Sequence, residues 1–103
     1  MKKGEVWWAN LPPPIGRRPV VLLSRDEAYS LRTHVTFALV STNIRNIPVE
    51  VVLDKDDGLP KVSVVNLDNI YTYNKNTLKQ RIGLLRPEKI AQINIALKFA
   101  LGL

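Results

Sequence analysis

Short apolar runs separated by turn-forming residues occupy most of the chain, and this pattern predicts a protein built mainly from β-strands. Val20-Val21-Leu22-Leu23 is apolar at successive positions, which predicts a central strand covered on both faces. Asp54–Gly58 is a polar turn cluster and Gly83 marks a predicted bulge. The predicted strands are Val6–Asn10, Pro19–Ser24, Val35–Ser41, Val49–Leu53, Ser63–Leu67 with a continuation to about Tyr73, and Arg81–Leu85.

The C-terminal segment has a helical pattern instead. Its apolar residues recur every three or four positions, at Ile90, Ile93, Leu97 and Leu101. Pro87 suits the first helical position and Gly102 closes the other end. We therefore expect one amphipathic helix packed on a small antiparallel barrel, a mainly β (α+β) fold formed as a single domain by residues 1–103. Asp26–Tyr29 and Asn74–Leu78 are predicted to be short helical pieces.

Composition narrows the class of protein. The 103 residues are 46% hydrophobic and 23% charged, as in soluble globular domains. The chain has no cysteine, which excludes disulfides, thiolate nucleophiles and cysteine-based zinc sites. The first residues lack the apolar segment of a signal peptide, and no apolar run approaches the ~18 residues that span a bilayer. These features predict a cytoplasmic protein.

The formal net charge of +6 favours an acidic partner, whether nucleic acid, an anionic membrane or a protein. Basic residues are scattered singly, except at Lys2-Lys3 and Arg17-Arg18. Because the chain has no polybasic block, we expect no membrane binding.

Most catalytic constellations are excluded by residue type. With His34 as the single histidine, the chain cannot form a histidine pair, a Cys–His dyad or a serine triad. His34 itself is predicted to be a solvent-exposed loop residue, with contact to a substrate as the less favoured alternative. Asp54, Asp56 and Asp57 form the densest acidic cluster, but the rest of a calcium loop is absent. We therefore predict no metal site and no cofactor.

After these exclusions, the remaining candidate reactive groups are arginine guanidiniums and the hydroxyls of serine and threonine. Pro12-Pro13-Pro14 ends the first strand, and Pro19 biases Arg18 toward extended backbone. Arg17 and Arg18 together form a ready receptor for a phosphodiester. Ser41 and Thr42 end the next strand, so antiparallel pairing would bring guanidiniums and hydroxyls together. The alternative, favoured by spacing alone, is that Ser41-Thr42-Asn43 simply begins a turn.

Such a cluster can cleave RNA, which carries its own nucleophile in the 2′-hydroxyl. The protein then has to align that group and stabilise the charge that develops on the phosphate. General acid–base catalysis is harder for such a cluster, because a free guanidinium stays protonated and cannot readily accept a proton.

Aromatic residues supply candidate surfaces for stacking on unpaired bases. Trp7 and Trp8 are neighbours in a strand and must face opposite sides, so only one of them can fill the core. The other is either a platform for RNA or part of a subunit contact, and we favour the contact on spacing alone.

These residues resemble the MazF/PemK/Kid family of toxins along essentially the whole chain. The matching segments are Gly4-Glu5-Val6-Trp7-Trp8, Arg18-Pro19-Val20-Val21, Val40-Ser41-Thr42, Ser63-Val64-Val65-Asn66-Leu67-Asp68-Asn69-Ile70, Ile82-Gly83 and Ala96–Leu103. The resemblance implies an SH3-like barrel of the CcdB/PemK type and a homodimer. It also implies a ribosome-independent, metal-independent endoribonuclease (an mRNA interferase) that cuts single-stranded RNA. A cognate antitoxin with an acidic, disordered segment is implied as its partner.

Carried over by position, the resemblance assigns Arg18 to stabilising the transition-state phosphate. Ser41 or Thr42 matches the catalytic threonine of the family, with Ser41 at the aligned position. The candidates for RNA binding are Arg17, Arg25, Asn43 and Trp8.

The loop before Arg17 departs from the family, in which a longer loop with a supporting glutamate is usual. Here Pro12-Pro13-Pro14-Ile15-Gly16 leads directly into Arg17, so that glutamate has no counterpart. We expect a more open groove and a different RNA preference, with tRNA or rRNA as candidates besides mRNA.

Two other functions fit the same pattern. One is a CcdB-like toxin that binds DNA gyrase, and the other is a barrel that binds nucleic acid without catalysis. The Arg-Pro pair at the second strand favours the nuclease.

Overall fold

The computed structural model describes residues 1–103 as six strands and two α-helices. The elements are β1 (Glu5–Asn10), β2 (Arg17–Leu22), α1 (Ala28–Leu31), β3 (His34–Ser41), β4 (Glu50–Leu53), β5 (Ser63–Asn74), β6 (Leu78–Leu84) and α2 (Pro87–Leu101). The strands form one antiparallel sheet in the order β4-β5-β3-β2-β1-β6. It curls into a half-barrel, and α2 packs against β4 and β5. The mainly β fold with a C-terminal helix is the one that the sequence predicts.

The sheet buries apolar side chains on each of its two faces. On one face, Val21 and Ala38 pack with Ile93 of α2 in the larger core cluster. On the other face, Val20 and Phe37 belong to a second cluster. Successive residues of β2 therefore enter different cores, which confirms the predicted central strand.

The strand bounds differ from the predictions at β2 and β6. β2 begins at Arg17 rather than Pro19, because Asn10 and Ala9 of β1 pair with Arg17 and Arg18. β6 begins at Leu78 rather than Arg81, because Ala9 pairs with Leu78 on its other side. Pairing between neighbouring strands extends the start of each strand, whereas β2 ends at Leu22 rather than Ser24 and β6 at Leu84 rather than Leu85.

The bulge predicted at Gly83 lies beside that residue. Val6 pairs with Gly83 whereas the next residue, Trp7, pairs with Arg81. Ile82 is therefore the additional residue that bends the edge strand.

The C-terminal helix starts at Pro87, and Gly102 ends it with a φ of 70°, as predicted. Ile93 and Ala96 are its buried residues. Leu97 and Ala100 pack against the larger core cluster, whereas Leu101 is 57% exposed, so the apolar repeat predicted for the helix is not buried at its last position.

The two short helical segments predicted from the sequence differ from the structure, one in position and the other in type. The first forms α1, which begins two residues later than Asp26, and the second is a 3-10 turn at Lys75–Thr77. The acidic cluster forms another 3-10 turn at Lys55–Asp57. None of the helices has the length and hydropathy required to cross a bilayer.

Candidate active site

Antiparallel pairing of β2 with β3 brings the start of β2 beside the end of β3. Val20 pairs with Leu39, and continuing this register places Arg18 opposite Ser41. The guanidinium Nη1 of Arg18 donates to the carbonyl oxygen of Val40 at 3.5 Å, a long contact. Arg18 is half-buried. Its charged group is therefore held against the strand end that carries the two hydroxyls.

A cavity of about 300 Å³ lies at this meeting point. The predicted residues Trp8, Arg18, Ser41 and Thr42 all line it. Its complete lining is Trp8, Arg18, Pro19, Val40, Ser41, Thr42, Leu59, Pro60, Lys61 and Ser63. One guanidinium, one ammonium and three hydroxyls thus surround a space large enough for a phosphate and part of its sugar.

The Ser41 hydroxyl is oriented by the turn that follows it. Its Oγ accepts a hydrogen bond from the backbone N–H of Asn43 at 3.0 Å. This contact leaves the hydroxyl proton of Ser41 available for an acceptor in the cavity. Thr42 is more exposed than Ser41. The turn and the site, weighed as alternatives from the sequence, occur together in the structure.

The cavity carries uncompensated positive charge. No aspartate or glutamate lines it. The ion pairs of the molecule are Arg81 with Glu5 and Arg86 with Glu88, so Arg18 and Lys61 have no carboxylate within bonding distance. An anion that enters the cavity would therefore meet free donors.

The two adjacent tryptophans lie on opposite sides of β1, as the alternation of a strand requires. Trp7 packs against the second core cluster, and its indole donates to the Glu5 carboxylate at 3.0 Å. Trp8 lines the cavity, and the Arg17 guanidinium lies over its ring at 4.7 Å from the centroid. This cation–π contact positions Arg17 at the rim of the site.

Arg25 and Asn43 do not line this cavity. Arg25 lies at the opposite end of β2, where it lines a second cavity. Asn43 uses its backbone to orient Ser41, and its side chain is exposed. RNA binding by these two residues stays a prediction.

The wall formed by Leu59, Pro60, Lys61 and Ser63 was not identified from the sequence. Leu59 is buried in the core, which anchors the loop, whereas Lys61 is exposed. The Ser63 hydroxyl donates to the carbonyl of Lys61 at 3.0 Å. Ser41 pairs with Val64, so β5 starts where β3 ends. The position of this wall depends on the pairing of β3 with β5, for which the sequence holds no local signal.

Comparison with known proteins gives consistent matches over the full length. Residues 2–101 match the family described as "PemK-like, MazF-like toxin of type II toxin-antitoxin system". The chain is 40% identical over 99 residues to "Probable endoribonuclease MazF5" of Mycobacterium tuberculosis, covering 95% of this chain and 90% of that protein. It is 33% identical to "Endoribonuclease MazF" of Staphylococcus saprophyticus, covering 100% and 92%.

A solved structure shares the fold closely. It is described as "Endoribonuclease in complex with its cognate antitoxin from Mycobacterial species", and it superposes with a TM-score of 0.90 at 31% identity. The superposition covers 100% of this chain and 96% of that chain. The similarity therefore extends through every strand and both helices.

Proposed function

Because the chain belongs to the PemK-like, MazF-like toxins of type II toxin–antitoxin systems, we propose that the cavity around Arg18 and Ser41 is its RNA-cleaving site. The protein is an endoribonuclease toxin of that family. One observation carries the assignment of the site: a half-buried guanidinium and two hydroxyl-bearing residues from neighbouring strands line the same cavity.

Cleavage begins with attack by the 2′-hydroxyl of the RNA on the adjacent phosphorus. An O2′–P bond forms and the P–O5′ bond breaks, which gives a 2′,3′-cyclic phosphate and a 5′-hydroxyl end. The 2′-hydroxyl loses one proton to water and the leaving 5′-oxygen takes one from water, so the protons balance. The reaction needs no metal or cofactor as reactant.

The protein contributes charge and orientation. As the phosphate passes through its five-coordinate state, negative charge grows on the non-bridging oxygens. Arg18 offers forked N–H donors to these oxygens, and the Ser41 hydroxyl donates one more hydrogen bond. Both groups are held by the backbone before substrate arrives, Arg18 by Val40 and Ser41 by Asn43. Preorganised donors of this kind stabilise the transition state without reorganisation at the moment of reaction.

The rim of the cavity binds the flanking nucleotides. Arg17 stacks on Trp8 at one side, and Lys61 lies on the loop at the other. A guanidinium placed over an aromatic ring still presents N–H donors at its edge, where a phosphate can meet them.

The same positive surface suits the protein partners. An antitoxin with an acidic, disordered segment would occupy the cavity in place of RNA, because its carboxylates match the uncompensated charges there. A second copy of the chain completes the toxin as a homodimer. The proposal includes a cytoplasmic location, where the RNA substrate is available.

The short loop leaves the cavity open on the side of β1. Leu11 and Gly16 close this loop, with the Leu11 N–H donating to the Gly16 carbonyl at 3.0 Å. Because no residue of the loop 11–16 lines the cavity, this side has room for a bulkier RNA. We propose that the preferred substrates include structured RNA such as tRNA as well as mRNA.

The test combines purified protein with EDTA and an RNA in which single positions are 2′-deoxy. We expect cleavage to persist in EDTA and to stop wherever the nucleotide before the cut lacks its 2′-hydroxyl. The ends should be a cyclic phosphate and a free 5′-hydroxyl. Continued cleavage at a deoxy position would rule out this mechanism. Inhibition of DNA gyrase by protein that leaves RNA intact would support the CcdB-like alternative instead.

A further inference from the structure

A second polar cavity, of about 370 Å³, lies at the opposite ends of β2 and β3 from the candidate active site. Two arginines and the single histidine of the chain face it, together with three hydroxyl-bearing residues. The lining consists of Leu23, Ser24, Arg25, Ala28, Arg32, His34, Thr36 and Thr72. Nothing in the proposed cleavage reaction uses these residues.

The arginines of this cavity have donors to spare. Arg32 donates from Nε to the carbonyl of His34 at 3.4 Å, which leaves its two terminal amino groups free. Arg25 forms no ion pair within 4.0 Å. The nearest acid in sequence, Asp26, accepts a hydrogen bond from the backbone N–H of Lys3 at 2.8 Å. One oxygen of that carboxylate is therefore engaged by the N-terminal segment.

The hydroxyls add further donors. Thr36 and Thr72 are joined by an O···O hydrogen bond of 2.7 Å; one hydroxyl donates, and the proton of the other stays free. Ser24 accepts a hydrogen bond from the backbone N–H of Thr36 at 2.9 Å, which fixes its hydroxyl beside the two threonines. Thr33 engages Nδ1 of His34 at 3.1 Å, which leaves Nε2 without a partner. Forked guanidiniums beside hydroxyl donors are the groups that bind phosphate oxygens.

The composition of the lining favours a phosphate over a peptide. Leu23 and Ala28 are its only apolar residues, and a docked peptide normally needs apolar pockets for its anchoring side chains. A phosphodiester needs only charge and hydrogen-bond donors. A neighbouring cavity of about 340 Å³ shares Arg32 and His34, so the polar surface continues beyond the first cavity.

β3 connects the two sites. Ser41 lies at one end of this strand and His34 at the other, a separation of about 23 Å at 3.3 Å per residue. We infer that the second cavity binds a backbone phosphate of the RNA substrate, several nucleotides away from the bond that is cut. The inference rests on the proposed function, because it extends the same RNA from one end of the strand to the other.

The test measures binding of fully 2′-O-methylated RNA, which cannot be cleaved, in a long form and as a short oligonucleotide. The variant is Arg25→Gln with Arg32→Gln. We expect its affinity for the long RNA to fall about 10-fold, with the slope of log affinity against log salt reduced by about one. The affinity for the short oligonucleotide should fall much less, because that probe cannot reach both cavities.

The matched control is Lys2→Gln with Lys79→Gln, which removes the same charge from exposed positions outside both cavities. Thermal melting checks that each variant is folded. If the double variant does not fold, Arg25→Gln alone is tested, because the Arg25 side chain forms no ion pair with another part of the chain. An equal loss on long and short RNA, or a loss matched by the control, would overturn the inference. The inference would also be overturned if the double variant kept its RNA affinity but bound a synthetic Asp/Glu-rich peptide more weakly, because the cavity would then bind an acidic protein segment.

Failure of the inference can be distinguished from failure of the proposed function. If the wild-type protein cleaves RNA but the double variant binds the long RNA as the control does, only the second cavity is rejected. If the wild-type protein does not cleave RNA, the cleavage site is rejected, and binding of the methylated RNA still reports on the second cavity.

Discussion

The Arg18 guanidinium contacts the backbone carbonyl of Val40, the residue directly before Ser41 and Thr42. A side chain from the start of β2 thereby reaches the end of β3 without using any of the hydroxyls. The contact occupies one nitrogen of the fork and leaves the remaining N–H groups for a ligand. The contact that positions this side chain thus uses a different atom from those that the proposed mechanism assigns to the phosphate.

Replacing Arg18 should abolish most of the activity. We expect Arg18→Ala to lower kcat for RNA cleavage about 100- to 1,000-fold, the range seen when one donor to a developing oxyanion is removed. Arg18→Lys should recover only part of the loss, because an ammonium cannot bind two oxygens in a fork. Steady-state cleavage of a fluorescent RNA measures both. Wild-type turnover in Arg18→Ala would remove this residue from the mechanism.

The two hydroxyls should differ in importance. Ser41→Ala removes the donor that Asn43 orients, and we expect kcat to fall about 10- to 100-fold, as for a hydrogen bond to a charged group. Thr42→Val removes a more exposed hydroxyl at constant volume and should cost less than about fivefold. Single-turnover rates distinguish the pair. A larger loss in Thr42→Val would transfer the catalytic role to Thr42.

Lys61 should act on binding and not on chemistry. We expect Lys61→Gln to raise KM for RNA and to reduce the salt slope of binding by about one, with kcat little changed. Lys55→Gln is the matched control, because this exposed lysine lies nearby in sequence but outside both cavities. Identical salt slopes in the two variants would contradict a phosphate contact at Lys61.

Glu5 should stabilise the fold in a pH-dependent way. Burial alone would raise its pKa, but hydrogen bonds from Trp7 and Arg81 outweigh burial and lower the pKa below its ordinary value. A lowered pKa stabilises the folded state above the pKa of the unfolded chain, about 4.3, and that contribution is lost as pH falls through the folded value. We expect Glu5→Gln to cost about 1–2 kcal/mol at neutral pH.

Urea unfolding at pH 7 and pH 3 measures this effect. The difference in free energy of unfolding between wild type and Glu5→Gln should be smaller at pH 3. Glu88→Gln is the control. Its contact with Arg86 is exposed on both sides, so its removal should change stability by less than about 0.5 kcal/mol. If Glu5→Gln lost the same unfolding free energy at both pH values, the carboxylate would stabilise the fold through packing and not through its charge.

Most of the fold could be predicted from sequence because each strand has a local signal. The four-residue apolar run of β2 identified the central strand, and Pro87 with Gly102 marked the ends of α2. The starts of β2 and β6 had no such signal, because pairing with β1 sets them. Leu101 is exposed although it continues the apolar repeat, because periodicity gives the apolar side of a helix but not which of its positions the core covers.

Half of the site could be predicted in the same way. Antiparallel pairing offered one way to bring Arg18 and Ser41 together, and the family resemblance selected it over the simple turn that spacing alone favoured. Lys61 was missed because its proximity depends on a second pairing, between β3 and β5, that no local residue pattern indicates. Arg25 was grouped with the first cavity although it is seven residues beyond Arg18, and the length of β2 alone could have separated them.

β3 is hydrogen-bonded along both edges, to β2 and to β5, so the spacing between its two ends cannot change without breaking the sheet. The strand therefore fixes the distance between the two cavities at its ends. If RNA contacts both ends as proposed, the architecture sets the shortest transcript that gains from the second contact, and loop mutations that alter which bases are preferred would leave that minimum length unchanged.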